Sequence, residues 1–240
     1  MDVLLQLRGM APLITHNERL QDPLDPFTKA IGAITGKRQK TEADHWDIAR
    51  LEFFGGLYTD PVISSPEQVD GQAPVVTSSM ILRCLQEGAK KYKKGKDVLR
   101  GIRPEGFVCP VIYDGTHSPL EMWEQHGDYS IRKGVVVSGR RVTRTRPFFK
   151  EWATFCPMVV DETIWDLEAL KLAWKYAGLY AGLAEMRPLY GQFEGTVKSD
   201  WRKLKTPYPA PEEGFEAAIA YIRLDEGERT DRHAVGSRKK

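Results

Sequence analysis

The residues of this chain best suited to chemistry are cationic, and they are grouped. From Lys133 to Phe149 the sequence reads KGVVVSGRRVTRTRPFF, in which β-branched residues alternate with arginines after Val142. That composition favours an extended strand. Side chains two apart on a strand share a face at roughly 6.6 Å, so Arg144, Arg146 and, with the register continued, Arg140 line one side. Arg141, Thr143 and Thr145 take the other. Neither face is wholly apolar beyond Val142, which predicts a projecting hairpin or an exposed edge. Basic residues on such an edge can serve merely to block sheet-to-sheet aggregation. Arginine, however, grips phosphate with a two-pronged fork that lysine lacks, and its dominance here favours an anionic partner.

A second basic group, Lys90, Lys91, Lys93, Lys94 and Lys96, follows the stripe Ile81, Leu85, Ala89, Tyr92 of a predicted helix. Two lysines at a helix C-terminus complement its dipole; five exceed that need and also suit an anion. With Arg132, Lys133 and Arg187 these residues make a candidate groove for a nucleic-acid backbone. Phe148, Phe149, Trp152 and Tyr190 lie beside the arginines. Aromatics next to basic residues are what a single-strand binder uses to stack bases, although aromatics more often fill a core. Phe149 and Tyr190 are the preferred platforms.

Other chemistry finds little support in the sequence. The five histidines are scattered, without the spacing of metal ligands or a nucleophilic triad. Asp22 with Asp25, and Asp114 with His117, could contribute to a metal-dependent nuclease only if the fold gathered more carboxylates around them. Beside proline and glycine they read as turn and cap residues. No phosphate-cradling glycine loop is present, and no cofactor or metal is expected. Cys84, Cys109 and Cys156 lie apart among apolar neighbours, as reduced core thiols do. These thiols, with no membrane-length apolar run and no signal-peptide pattern at the N-terminus, lead to the expectation of a cytoplasmic protein.

The 240 residues, 41% hydrophobic and 28% charged, can bury a substantial core. A net charge of +2 makes clustering, not total charge, the argument for nucleic acid. A strand is expected over residues 2–10. A helix capped by Asp25 with Pro26 first should end at Gly36, and another, capped by Thr41 with Asp44, should end at Gly55-Gly56. Val62-Ile63 could be a short strand. A helix capped by Ser78 or Ser79, a strand over 107–113, a short helix in 118–125 and a long strand from Phe148 to Val160 follow. The helix carrying Leu167, Leu170, Trp174, Ala177 and Ala181 precedes a last strand over 192–198. After Thr206 come a proline-rich linker, one amphipathic helix at 214–224 and a charged tail.

Without its insertions this order is strand, helix, strand, strand, helix, strand. It predicts an α+β chain with a ferredoxin-like (RRM-like) βαββαβ core over residues 1–205, a helical insertion near 22–60 and a basic hairpin near 128–147. Residues 206–240 form the linker and tail. The stretch Ala11 to Asn17, the segment Val76 to Ile81 and the glycine-containing turn Gly182 to Gly191 are similar to the repeat-associated (RAMP) superfamily, which includes backbone subunits of CRISPR effector complexes. Asp22-Pro23-Leu24-Asp25-Pro26, Arg50 to Phe53, Arg144 to Pro147 and Arg187 to Phe193 resemble a group of uncharacterised phage and prophage proteins, over residues 2–198. The resemblance implies a non-catalytic protein that holds single-stranded DNA or RNA without regard to sequence. It would assemble side by side as a homo-oligomer or filament, in phage replication, recombination or CRISPR-related processes in the host cytoplasm. A metal-dependent endonuclease on the same scaffold and a virion or assembly protein are the alternatives.

Overall fold

In the computed structural model, which describes residues 1–69, 72–137, 139–199, 201–203 and 208–223, the chain is mixed α+β with antiparallel sheets. Strand β1 (Asp2–Gly9) is central to the main sheet. It pairs on one side with β8 (Ala153–Val160) and on the other with β9 (Phe193–Ser199), and β4 (Ile102–Pro104) extends the sheet beyond β8. The strand order is therefore β4-β8-β1-β9.

One face of that sheet packs on α3 (Ser78–Lys90) and α7 (Leu167–Tyr176). Val3, Leu5, Leu7, Cys156, Met158 and Val197 meet Ile81, Leu85, Leu170 and Trp174 in a fully apolar core. Burial of this kind contributes about 25 cal/mol per Å² and is what fixes the helices in place. The opposite face, with Leu4, Ala153 and Phe155, is covered by helix 214–223 through Phe215, Ala218, Ile219 and Ile222. The expected amphipathic segment thus has its apolar stripe on its own sheet. The start of the linker, Thr206 and Pro207, and the tail 224–240 lie outside the described residues.

Two helices make the insertion after β2 (Leu13–Ile14). Helix α1 (Pro26–Thr35) is capped by Asp25, whose Oδ1 accepts from the Phe27 amide, and α2 (Glu42–Gly56) by the reciprocal Thr41–Asp44 box, both at the expected residues. Helix α3 is instead capped by Thr77, just before the expected Ser78 or Ser79. Asp166 caps α7.

The expected strand over 107–113 is largely absent. Only Val108–Pro110 (β5) forms a strand, pairing with β3 (Val75–Thr77), while Ile112 makes a single bridge to Ala153 and Ile102–Pro104, behind α4 (Gly95–Gly101), takes the main-sheet edge. Pro104 and Pro110 each lack the amide that a longer ladder would require. Val62-Ile63 is not a strand; Ile63 is buried and Val62 exposed. The expected strand from Phe148 to Val160 breaks at Lys150–Trp152. The Trp152 indole lies where a side chain on Gly9 would be, and its Nε1 donates to the Ala11 carbonyl.

Past the short helices α5 (Pro119–Glu124) and α6 (His126–Tyr129), the hairpin of β6 (Ser130–Val137) and β7 (Arg140–Phe149) leaves the body of the protein. Its base is held because β7 also pairs with β2, Leu13 opposite Phe149 and Ile14 opposite Phe148.

Candidate nucleic-acid interface

Glycine determines how closely the helices that carry the site can meet. A Cβ on Gly88 of α3 would stand 2.4 Å from the Ala173 carbonyl and 2.8 Å from the Ala177 Cα. Only a bare backbone allows that crossing, and the crossing brings the end of α3 against the end of α7. There Lys91 Nζ donates to the Tyr176 hydroxyl and lies 4.2 Å from the centre of its ring. The contact holds the Lys91 ammonium above its usual pKa, because the charged form keeps an acceptor.

Past Tyr176 the helix widens into a π-turn, Ala177–Ala181. The wider turn sets Tyr180 over Tyr176 with ring centroids 4.4 Å apart, and Tyr92 meets Tyr176 edge-on at 5.8 Å. Tyr180 is 62% exposed, an unusual cost for so large a ring. Such π-turns recur at functional sites.

The chain then enters the turn 182–191. Gly182 (φ 71°) and Gly191 (φ 69°) are left-handed, as are Ala184 (φ 60°) and Met186 (φ 57°), where a side chain makes that conformation costly. The surroundings impose it. Glu185 donates its amide to the Ile14 carbonyl and Gly191 to that of Pro12, tying the turn to the segment after β1. Buried Cys84 bonds the Gly182 carbonyl, and burial pushes its thiol up to about 12, so it is an inert donor.

Lys91, Tyr176, Tyr180 and Arg187 line a groove of about 630 Å³ between α3, the π-turn and this turn. Lys90, Lys93 and Lys96 are exposed at its α3 end; Lys90 pairs with Glu87, and Lys94 lies over Trp165. Lys91 and Arg187, distant in sequence, are therefore neighbours. A smaller cleft of about 240 Å³ continues past Glu185 and Arg187 to Arg83, Tyr58 and His16. Neither Arg83 nor Arg187 has an ion-pair partner among the described residues.

The arginines of the hairpin behave differently. The register, Lys133 opposite Arg144 and Ile131 opposite Arg146, puts these two arginines on one face as expected, but that face turns inward. Arg144 Nη1 reaches Glu52 at 2.6 Å, and the same buried carboxylate accepts the Thr145 amide at 2.7 Å. Arg146 is only 6% exposed; its Nε donates to Glu185 and its Nη1 to the Thr145 carbonyl. Glu52 thus closes the free edge of β7 where β2 stops. Arg144 and Arg146 are not an open rail. Substituting both, as the sequence would suggest for a binding test, strips partners from Glu52 and Glu185 and so reports on folding as well.

Phe149 is 2% exposed and packs on Tyr113 at 5.1 Å, so it is core and not a stacking platform; Trp152 is core as well. Tyr190 is half-buried with Lys133 Nζ 5.6 Å from its ring centre, which joins hairpin and turn. Arg132 and Arg141 are exposed on the outer hairpin face, where Val136 is also open. Arg132 lies over Trp46, which meets His126 edge-on, and His126 stacks on Trp123 at 5.1 Å. Arg140 belongs to β7, but its side chain lies outside the described residues.

Tyr92, Tyr176, Tyr180, Arg83, Trp46 and His126 escape a reading of the sequence. Only the i, i+4 spacing of Tyr176 and Tyr180 signals a shared face, and in a helix that spacing is usually core. Asp22 and Asp25, the candidate nuclease pair, are spent locally: Asp22 accepts from the Leu24 amide, and Asp25 caps α1 and pairs with Arg19. Among the described residues no three His, Cys, Asp or Glu side chains gather as metal ligands, and no helix is long and apolar enough to cross a membrane. No protein-family model matches the chain, and no curated protein matches it in sequence.

Proposed function

We propose that this protein binds single-stranded nucleic acid through its backbone, without catalysis and without regard to sequence, in the groove between the end of α3 and the turn 182–191. The observation that carries the reading is the meeting of Lys91, Arg187, half-buried Tyr176 and exposed Tyr180 in one groove. Backbone-tracking proteins combine cations for phosphates with rings for bases, and here both line one concavity. The path extends past Arg83 to Lys133 with Tyr190, and Arg132 and Arg141 offer further cations on the outer face of the hairpin.

The reading includes a ferredoxin-like core. Its support is the order β4-β8-β1-β9 with α3 and α7 on one face, joined as strand, helix, strand, strand, helix, strand. With the residue resemblances in the segment after β1 and in the turn, this favours a relation to the repeat-associated superfamily and side-by-side assembly on the strand in a phage setting.

The test is titration of labelled single-stranded DNA, single-stranded RNA and duplex across a salt series, with and without Mg²⁺. Binding of single strands that weakens steeply with salt and produces no cleavage is the expected result. Equal indifference to all three ligands at low salt would remove the proposal.

A further inference from the structure

A third cleft, of about 370 Å³, lies between α1 and the inward face of the hairpin, and His16 lines both it and the cleft that leads to Arg83 and Arg187. We propose that this cleft binds a phosphomonoester group, with Arg146, Arg144 and His16 as donors and the apolar side chains of Leu20, Ile31 and Val135 beside the organic portion. The inference rests on the nucleic-acid reading in one respect, that a strand end is a natural source of such a group. Free phosphate and mononucleotides carry the same chemistry.

The arginines are prepared for this task by the ion pairs that disqualify them as an open rail. Arg146 is almost wholly buried and fixed through Nε and Nη1, yet its Nη2 has no protein acceptor among the described residues. Arg144 spends only Nη1, on Glu52, leaving Nε and Nη2. Neither guanidinium is among the buried groups lacking partners, so these remaining donors are open to the cleft. Side chains locked by neighbours and still holding free donors lose little entropy on binding. His16 adds a ring whose Nδ1 is buried without a partner, which leaves the other nitrogen as the one open to a ligand. Three convergent groups suit the three unesterified oxygens of a monoester better than the two of an internal diester.

The charge balance favours an anion. Around His16 the two clefts set Arg83, Arg144, Arg146 and Arg187 against Glu18, Glu52 and Glu185, with Tyr58 neutral at ordinary pH, and Lys133 stands opposite Arg144 on the same hairpin face. His16 is itself held neutral, its pKa lowered to about 4 by burial first and then by Arg146 and Arg144. A phosphate dianion beside it would oppose that effect and raise its pKa.

Two measurements on the intact chain test the proposal. In the first, the ring protons of His16 are titrated by NMR with and without inorganic phosphate. Phosphate is expected to raise the His16 pKa by about one unit or more. In the second, oligothymidine phosphorylated at the 5′ end, at the 3′ end or at neither is compared in affinity. One phosphorylated end should bind about tenfold tighter, or about 1.4 kcal/mol, and His16→Gln should bring the ratio close to one. Equal affinities with an unmoved His16 would overturn the site, as would an end preference that leaves His16 unmoved. If no oligonucleotide binds but phosphate or thymidine monophosphate shifts His16, the site stands and the strand-binding reading falls.

Discussion

The two basic regions have similar composition and opposite states. At the hairpin base, Arg144 and Arg146 are drawn inward onto Glu52 and Glu185, and part of each guanidinium holds β7 against α2 and the turn. At the end of α3, Lys93, Lys96 and nearby Arg187 have no carboxylate within reach among the described residues, and Lys91 leans on a tyrosine. A cation that is buried and paired bears on stability even where its spare N–H groups face a ligand, because removing it strands a charge in a dry place. One that is exposed and unpaired is available to a ligand and costs little to remove.

This contrast is sharpest in Arg144→Ala. Glu52 would keep only the Thr145 amide, and stability should fall by about 3–5 kcal/mol, read as a lower midpoint in urea. A midpoint within about 0.5 kcal/mol of wild type would show the ion pair to be incidental. The combined Lys91→Ala, Lys93→Ala and Arg187→Ala variant should do the reverse. Its unfolding midpoint should hardly move, while single-strand affinity at 0.1 M salt drops roughly a hundredfold and the salt slope falls by about two. An unchanged slope would place the phosphates elsewhere.

Tyr180→Ala is expected to cost about 1–3 kcal/mol of binding through lost stacking, with stability close to wild type because the ring is already exposed. Loss of stability without loss of binding would instead make the tyrosine pair a packing device. The last test is with pH. His16 titrates near 6.5 when unfolded and near 4 when folded, so the unfolded chain takes up more protons between those values. Stability should therefore decline as pH falls from about 6.5 toward 4. His16→Gln should flatten part of that decline, measured by urea midpoints across the range.

The caps at Asp25 and Thr41 were legible because capping is a local bargain between a side chain and amides two or three residues away. Alternation placed β1 and β7 for the same reason. The shared face of Arg144 and Arg146 also followed from alternation alone. Phe149 was misjudged because an aromatic beside arginines has the same local pattern whether it faces solvent or Tyr113.

The sequence by itself determined where the cations are, which of them share a face, and where the helices begin, all consequences of near-neighbour geometry. Which direction those faces point was decided only by the tertiary structure. Glu52, 92 residues before Arg144, waits at the edge of β7, and Gly88 lets α3 close on α7 so that Lys91 meets Tyr176. Charge pairing and close approach depend on distance through space, and no spacing along the chain encodes it.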